Sequence, residues 1–203
     1  MPNILFASNA ISHFPGSTIG ADTWSFDSNR VPYSIKTPHL TKCGSPVLPA
    51  SPDNTQEWWF HLRNGSSAWF VNADDSIIEI VDANGARILE LSMYNRTGEG
   101  YHTRYTIDGV SYTNTQTLPI ADNKMRTYDI MIKNDGLNWK AAVYVNELLI
   151  ENISVALNNF IAPARFNIGG HAGDNSSTNY YYSEIIVADG DTRNARLDLL
   201  RPV

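Results

Sequence analysis

Apolar and polar residues alternate with a period of two in short runs along most of the chain, and Gly, Asn, Asp and Pro punctuate the runs. Alternation sends successive side chains to opposite faces of a strand, so the pattern predicts strands joined by turns. In TYDIMIK, Tyr128, Ile130 and Ile132 fall on one face and Asp129, Met131 and Lys133 on the other, which describes a half-buried strand. SIIEIVDANGARILELSM predicts a hairpin, because two apolar runs flank Asp82-Ala83-Asn84-Gly85 and its Asn-Gly pair tolerates positive φ. On the return arm Leu89, Leu91 and Met93 share a face. WKAAVYVNELLIENISV predicts a second hairpin at Asn146-Glu147, and Glu147, a poorer turn residue than Gly, points to a turn longer than two residues.

Further strands are expected at residues 57–62, 67–72, 101–107, 165–168 and 181–188, with short strands in long loops over the Pro-, Ser- and Thr-rich residues 10–56. No stretch beyond about eleven residues keeps helical periodicity. The expected fold is all-β, an antiparallel two-sheet β-sandwich, with Trp139, Val143, Val145, Ile130, Ile132 and Ile185 in its core. A length of 203 residues suits one domain, 1–203, with an extended N-terminal segment (about 1–20) and a C-terminal tail (about 190–203).

Charge and composition narrow the partners. Fifteen basic against 21 acidic residues give a net charge of −6, opposite to the basic footprint of a nucleic-acid binder. The start, MPNILFASNAISHF, lacks the charged and long apolar regions of a secretion signal, and no stretch predicts insertion in a bilayer. Without such a signal, the N-x-S/T sequons at Asn64, Asn95, Asn152 and Asn175 read as chance. The single Cys43 makes no intrachain disulfide, leaving stability to core burial and sheet hydrogen bonds.

Over residues 55–190, the series EWWFHL, SIIEIVDANG, TYDIMIK, Trp139 to Asn146, ARFNIGG and YYSEIIVAD resembles the concanavalin A-like lectin/glucanase jelly roll in its laminin-G-like form. The most telling piece is W-x-x-x-V-Y-V-N, Trp139 to Asn146, followed about twenty residues later by Ile168-Gly169-Gly170. In that family the Asn usually precedes Gly; here it precedes Glu147. SEIIVADGDTR with its short Arg- and Leu-containing tail, and MPNILFASN at the start, resemble the ends of lectin-like domains in structural proteins of tailed bacteriophages.

A glucanase on this fold needs two carboxylates about 5 Å apart when it retains configuration. The family places them as E-x-D-x-E on one strand; Glu79 and Asp82 are three apart and face opposite sides of a regular strand. Their ordinary reading is a solvent-facing Glu and a turn Asp. Alternation sets Trp58 and Phe60 opposite Trp59, so that an exposed Trp59 would stack on a sugar, while core filling is the commoner role. Tyr101 and Tyr180 are the other candidate sugar platforms, and Tyr180-Tyr181-Tyr182 equally suits an interface or the core. His13, His39, His61, His102 and His171 form no ligand-spaced pair and read as ordinary strand and loop residues. No cofactor is expected; Ca²⁺ at Asp74-Asp75, or at Asp189 with Asp191, competes with the commoner turn-forming role of Asp.

The tail carries Arg193, Arg196, Leu197, Leu199, Leu200 and Arg201, a mixture that suits either the domain's own edge or docking on a partner. The resemblance implies a non-enzymatic virion structural protein, multi-copy or homo-oligomeric, held by other virion proteins and made in the host cytoplasm. The alternative it implies is an adhesion module binding host surface glycans, and a glycoside hydrolase ranks third for want of the carboxylate set.

Overall fold

The computed structural model describes residues 3–8, 11–15, 18–20, 34–37, 42–50, 56–66, 74–96, 100–107, 110–113, 126–134, 138–156, 162–170 and 180–190. They form strands β1 (Asn3–Ser8), β2 (Thr18–Gly20), β3 (Ser34–Thr37), β4 (Lys42–Gly44), β5 (Glu57–Ser66), β6 (Asp74–Val81), β7 (Arg87–Arg96), β8 (Gly100–Ile107), β9 (Val110–Thr113), β10 (Arg126–Asn134), β11 (Asn138–Val145), β12 (Leu148–Ala156), β13 (Arg165–Gly169) and β14 (Tyr180–Asp189). A single 3-10 turn, Ile11–His13, is the one helical element among them.

The strands build two antiparallel sheets, as the alternation predicts. One has eight strands, ordered β12-β11-β10-β5-β14-β3-β2, with β1 also paired to β14; the other has six, ordered β4-β13-β6-β7-β8-β9. On one edge β14 changes partner along its length, Tyr180 to Tyr182 pairing with β3 and Ile185 to Asp189 with β1. The change falls at a β-bulge, where Glu184 and Ile185 together oppose the single Leu62 of β5.

Period-two alternation packs the space between the sheets. Trp58, Phe60 and Leu62 of β5, Tyr128, Ile130 and Ile132 of β10, and Ala141, Val143 and Val145 of β11 meet Ile78 and Ile80 of β6, Leu89 and Leu91 of β7 and Phe166 and Ile168 of β13. Each fully buried large side chain contributes about 1.5–3 kcal/mol. Tyr182 ties the layers: its Oη accepts from the Gly169 amide at 2.9 Å, and burial pushes its phenol well above its ordinary pKa. The N-terminal residues belong to this packing, since β1 pairs with β14 and the fully buried Phe14 packs with Phe6 against Phe166.

The Asp82-to-Gly85 hairpin forms as predicted, with Asp82 Oδ1 accepting from the amides of Asn84 and Ala86. The β11–β12 turn differs from its expectation. Its two residues, Asn146 and Glu147, both lie at positive φ (49° and 69°), so Glu147 adopts the conformation usually reserved for Gly and no longer loop is needed. Of the expected core, Val143, Val145, Ile130, Ile132 and Ile185 are buried. The Trp139 side chain and the expected strand at 67–72 lie outside the described residues.

Candidate functional site

If Trp58, Phe60 and Leu62 face the core, their neighbours on β5 must face outward, and the same holds for β10, β11 and β14. Register then aligns the outward residues of the eight-stranded sheet into cross-strand rows. Glu57, Lys133, Lys140 and Ser154 make the first. Ala188, Trp59, Met131, Ala142 and Asn152 make the second, and Ile186, His61, Asp129, Tyr144 and Leu149 the third. Ser183, Arg63 and Thr127 make the fourth.

Two clusters occupy this face. In the first, Trp59 and Tyr144 stack with ring centroids 5.7 Å apart and planes 30° apart. Trp59 Nε1 donates to Glu57 Oε1 at 3.3 Å, and Lys133 Nζ donates to Glu57 Oε2 at 3.0 Å. Trp59 is buried; Tyr144 and Lys140 are half-buried, and Asn152 and Ser154 are exposed. The result is a fixed aromatic ring in a polar surround.

In the second, fully buried His61 meets Asp129, also fully buried, through Nδ1 and Oδ1 at 2.9 Å. On its other side His61 Nε2 lies 3.9 Å from Glu184 Oε2, and Arg63 Nη1 reaches Glu184 Oε1 at 3.1 Å. The nearby His61 ring, then the hydrogen bond from Arg63, outweighs burial and holds the Glu184 carboxyl below its ordinary value. Glu184 occupies the bulge at φ 52°, left-handed backbone that costs a non-Gly residue about 1–3 kcal/mol.

The six-stranded sheet carries a separate charged cluster. Glu79 Oε1 meets Lys42 Nζ at 2.8 Å and Arg87 Nε at 2.9 Å, and its Oε2 accepts from Asn167 Nδ2 at 2.8 Å. Glu90 joins through Arg87 at 2.7 Å and Lys42 at 3.3 Å. Burial raises the Glu79 pKa, but the hydrogen bonds from Lys42, Asn167 and Arg87 more than reverse it. Glu79 is thus a paired, nearly buried residue rather than the solvent-facing Glu its sequence suggests, and Asp82 is the turn cap it was expected to be.

The structure revises the candidate platforms. Trp59 is 5% and Tyr180 3% exposed, so neither presents a face to a sugar. Trp59 lies beneath the platform, and the accessible ring is Tyr144, which the sequence did not single out. The side chain of Tyr101 and the tail residues Arg193, Arg196, Leu197, Leu199, Leu200 and Arg201 lie outside the described residues, as do the side chains of Asp74 and Asp75. Asp189 takes the Asn3 side chain at 3.0 Å and the Asn3 amide, so it pins β1 to β14. Among the described residues, no three His, Cys, Asp or Glu side chains are grouped to hold a metal ion. His61, Asp129 and Glu184 were missed for want of a local pattern, although Glu57, Trp59, His61 and Arg63 alternate along one strand face.

No family model matches the chain, and no curated protein matches it. Solved structures share its fold. A structure of botulinum neurotoxin type C, whose cell entry depends on interaction with two ganglioside molecules, superposes with a TM-score of 0.57 at 13% identity, covering 92% of this chain and 46% of that one. The CBM2 module of the evolved Dit of Lactobacillus casei BL23 phage J-1 superposes with a TM-score of 0.56 at 10% identity, covering 92% of this chain and 95% of the module. Trypanosoma rangeli sialidase gives 0.54 at 13% identity, covering 78% of this chain and 25% of the sialidase. The chain therefore spans less than half of the toxin structure and nearly all of the phage module. At such identities the likeness is one of fold.

Proposed function

We propose that this chain is a non-enzymatic, carbohydrate-binding β-sandwich of the concanavalin A-like type, carried on the virion of a tailed phage, and that it meets host surface glycans on the outer face of its eight-stranded sheet. The observation that carries the reading is the Trp59–Tyr144 stack. A sugar ring offers C–H groups to an aromatic face and hydroxyls to the surround. Tyr144 supplies the face, already held by Trp59, so little rotamer entropy is lost on binding. Lys133, Lys140, Asn152 and Ser154 stand in the adjoining rows as hydroxyl partners.

The fold likeness to a phage carbohydrate-binding module along nearly its whole length supports the virion assignment. The toxin, 46% of whose structure this chain matches, depends on gangliosides for cell entry, which supports a sugar ligand. Catalysis is left out of the reading for a geometric reason: Asp129 and His61, the groups best arranged to move a proton, are fully buried, and Glu79 and Asp82 face different surroundings. Through the tail at 190–203 the domain docks on other virion proteins, in several copies.

Glycan-array binding by the purified chain tests the reading. Tyr144→Ala is expected to weaken binding about tenfold or more, a loss of at least about 1.4 kcal/mol. Unchanged affinity, or no binding by the parent chain, overturns it. Absence of the chain from purified particles overturns the virion assignment, and docking fails if a chain lacking residues 192–203 still joins them.

A further inference from the structure

Glu184 is the only described non-Gly residue outside the β11–β12 turn with positive φ. The bulge opposes Glu184 and Ile185 to Leu62 alone, so that Ile185 enters the core and Glu184 is turned outward beside Arg63 and His61. Bulges that re-aim a side chain recur next to functional sites. Here the re-aimed carboxylate and its guanidinium partner reach solvent, with 32% and 19% of their side chains exposed.

Two polar groups without partners lie behind them. Asp129 Oδ2 and Ser183 Oγ are buried and have no hydrogen-bond partner, and both residues are fully buried on this same outer face. Each such orphan costs about 1–3 kcal/mol. Ser183 is in register with Arg63, and Asp129 with His61, so the two orphans flank the Arg63–Glu184 pair. A carboxylate oxygen can only accept, and the Asp129 and Glu184 carboxylates both lie against His61, with Arg63 paired to Glu184. This balance welcomes a ligand rich in hydroxyl donors and repels one bearing its own negative charge.

We infer that the Glu184 bulge is a second subsite on the carbohydrate-binding face, one row from Tyr144, and that it selects a neutral, polyhydroxylated sugar unit over an acidic one. Arg63 donates to one hydroxyl oxygen and Glu184 accepts from its neighbour, as suits a vicinal diol. The inference rests on the carbohydrate-binding reading, and its test separates the two.

Neutral hexose oligosaccharides and their sialylated or uronic acid-containing counterparts are titrated by calorimetry against the full chain, Glu184→Gly, Glu184→Gln and Tyr144→Ala. Gly occupies φ 52° without strain, so Glu184→Gly removes the carboxylate while suiting the backbone. The expected result is neutral sugar bound at least about tenfold more tightly than acidic sugar, and a loss of about tenfold in both Glu184 variants with their circular dichroism unchanged. Should those variants fail to fold, Arg63→Gln decides, since it removes the cation of the pair and leaves the bulge residue in place; a several-fold loss supports the subsite and parental affinity overturns it. Parental affinity in the Glu184 variants, alongside loss in Tyr144→Ala, overturns the subsite and leaves the carbohydrate reading standing. Acidic sugar bound as tightly as neutral sugar also overturns it. No sugar bound by the parent chain removes both.

Discussion

On the six-stranded sheet Glu79 sits among three donors, with both carboxylate oxygens engaged and no left-handed residue in its strand, whereas on the eight-stranded sheet Glu184 holds its place through a left-handed bulge and Asp129 keeps one oxygen without a partner. Both faces bear an acidic centre with cations on either side. The first arrangement is satisfied as it stands, which is what a structural network requires. The second retains strain and unused acceptor capacity, and both persist only where the surroundings or a ligand compensate. Charge density alone would rank the two faces alike; satisfaction and strain tell them apart.

The largest expected effect breaks the comparison at its most buried point. His61→Ala leaves the Asp129 carboxylate buried without its partner and is expected to destabilise the chain by about 3–5 kcal/mol in urea titration. A loss under about 1 kcal/mol would mean that water reaches this face freely. Glu79→Gln, by contrast, trims a network whose cations Lys42 and Arg87 are a third or more exposed, and is expected to cost about 1 kcal/mol or less. It should also leave sugar affinity untouched. If Glu79→Gln abolished binding while Tyr144→Ala did not, the functional face would be the six-stranded one. No β-glucan hydrolysis is expected from either chain; turnover lost in Glu79→Gln would restore the glucanase alternative.

Most of the fold was legible because period two is a local signal. TYDIMIK, the Asp82-to-Gly85 hairpin and the core set on β10 and β11 need only neighbouring residues to be read. The site was legible only in halves. Alternation correctly set Trp59 opposite Trp58 and Phe60, but the ring that covers Trp59 is Tyr144, two strands away through β10, and register between distant strands leaves no trace in spacing. His61 finds Asp129 at a separation of 68 positions, so a search for closely spaced ligand pairs passes over it. Nothing in SEIIVAD marks Glu184 as a bulge, since no Gly or Asn stands where the chain turns left-handed. The β11–β12 turn fails for the same reason, with Glu147 in a conformation its side chain does not advertise.

The smallest effect concerns acid. Glu79 and Glu184 are both held below the ordinary value of 4.5, so each contributes stability that is fully present above that value and lost as pH falls through its lower folded-state value. Glu79→Gln and Glu184→Gln should each therefore flatten the decline in melting temperature below about pH 4.5, and a variant that declines as steeply as its parent refutes the assignment for that residue. Salt then separates the two faces. Glu79 has the less exposed carboxylate, 10% against 32%, yet its cations Lys42 and Arg87 are 33% and 41% exposed, against 0% for His61 and 19% for Arg63. Mobile ions reach a pair through its more open partner, and at 1 M salt screening acts within about 3 Å. Added sodium chloride should thus shrink the difference between parent and Glu79→Gln while leaving most of that between parent and Glu184→Gln. Equal shrinkage would show that the bulge cluster is as open to solvent as the surface network, and the contrast between a strained face and a satisfied one would fail there.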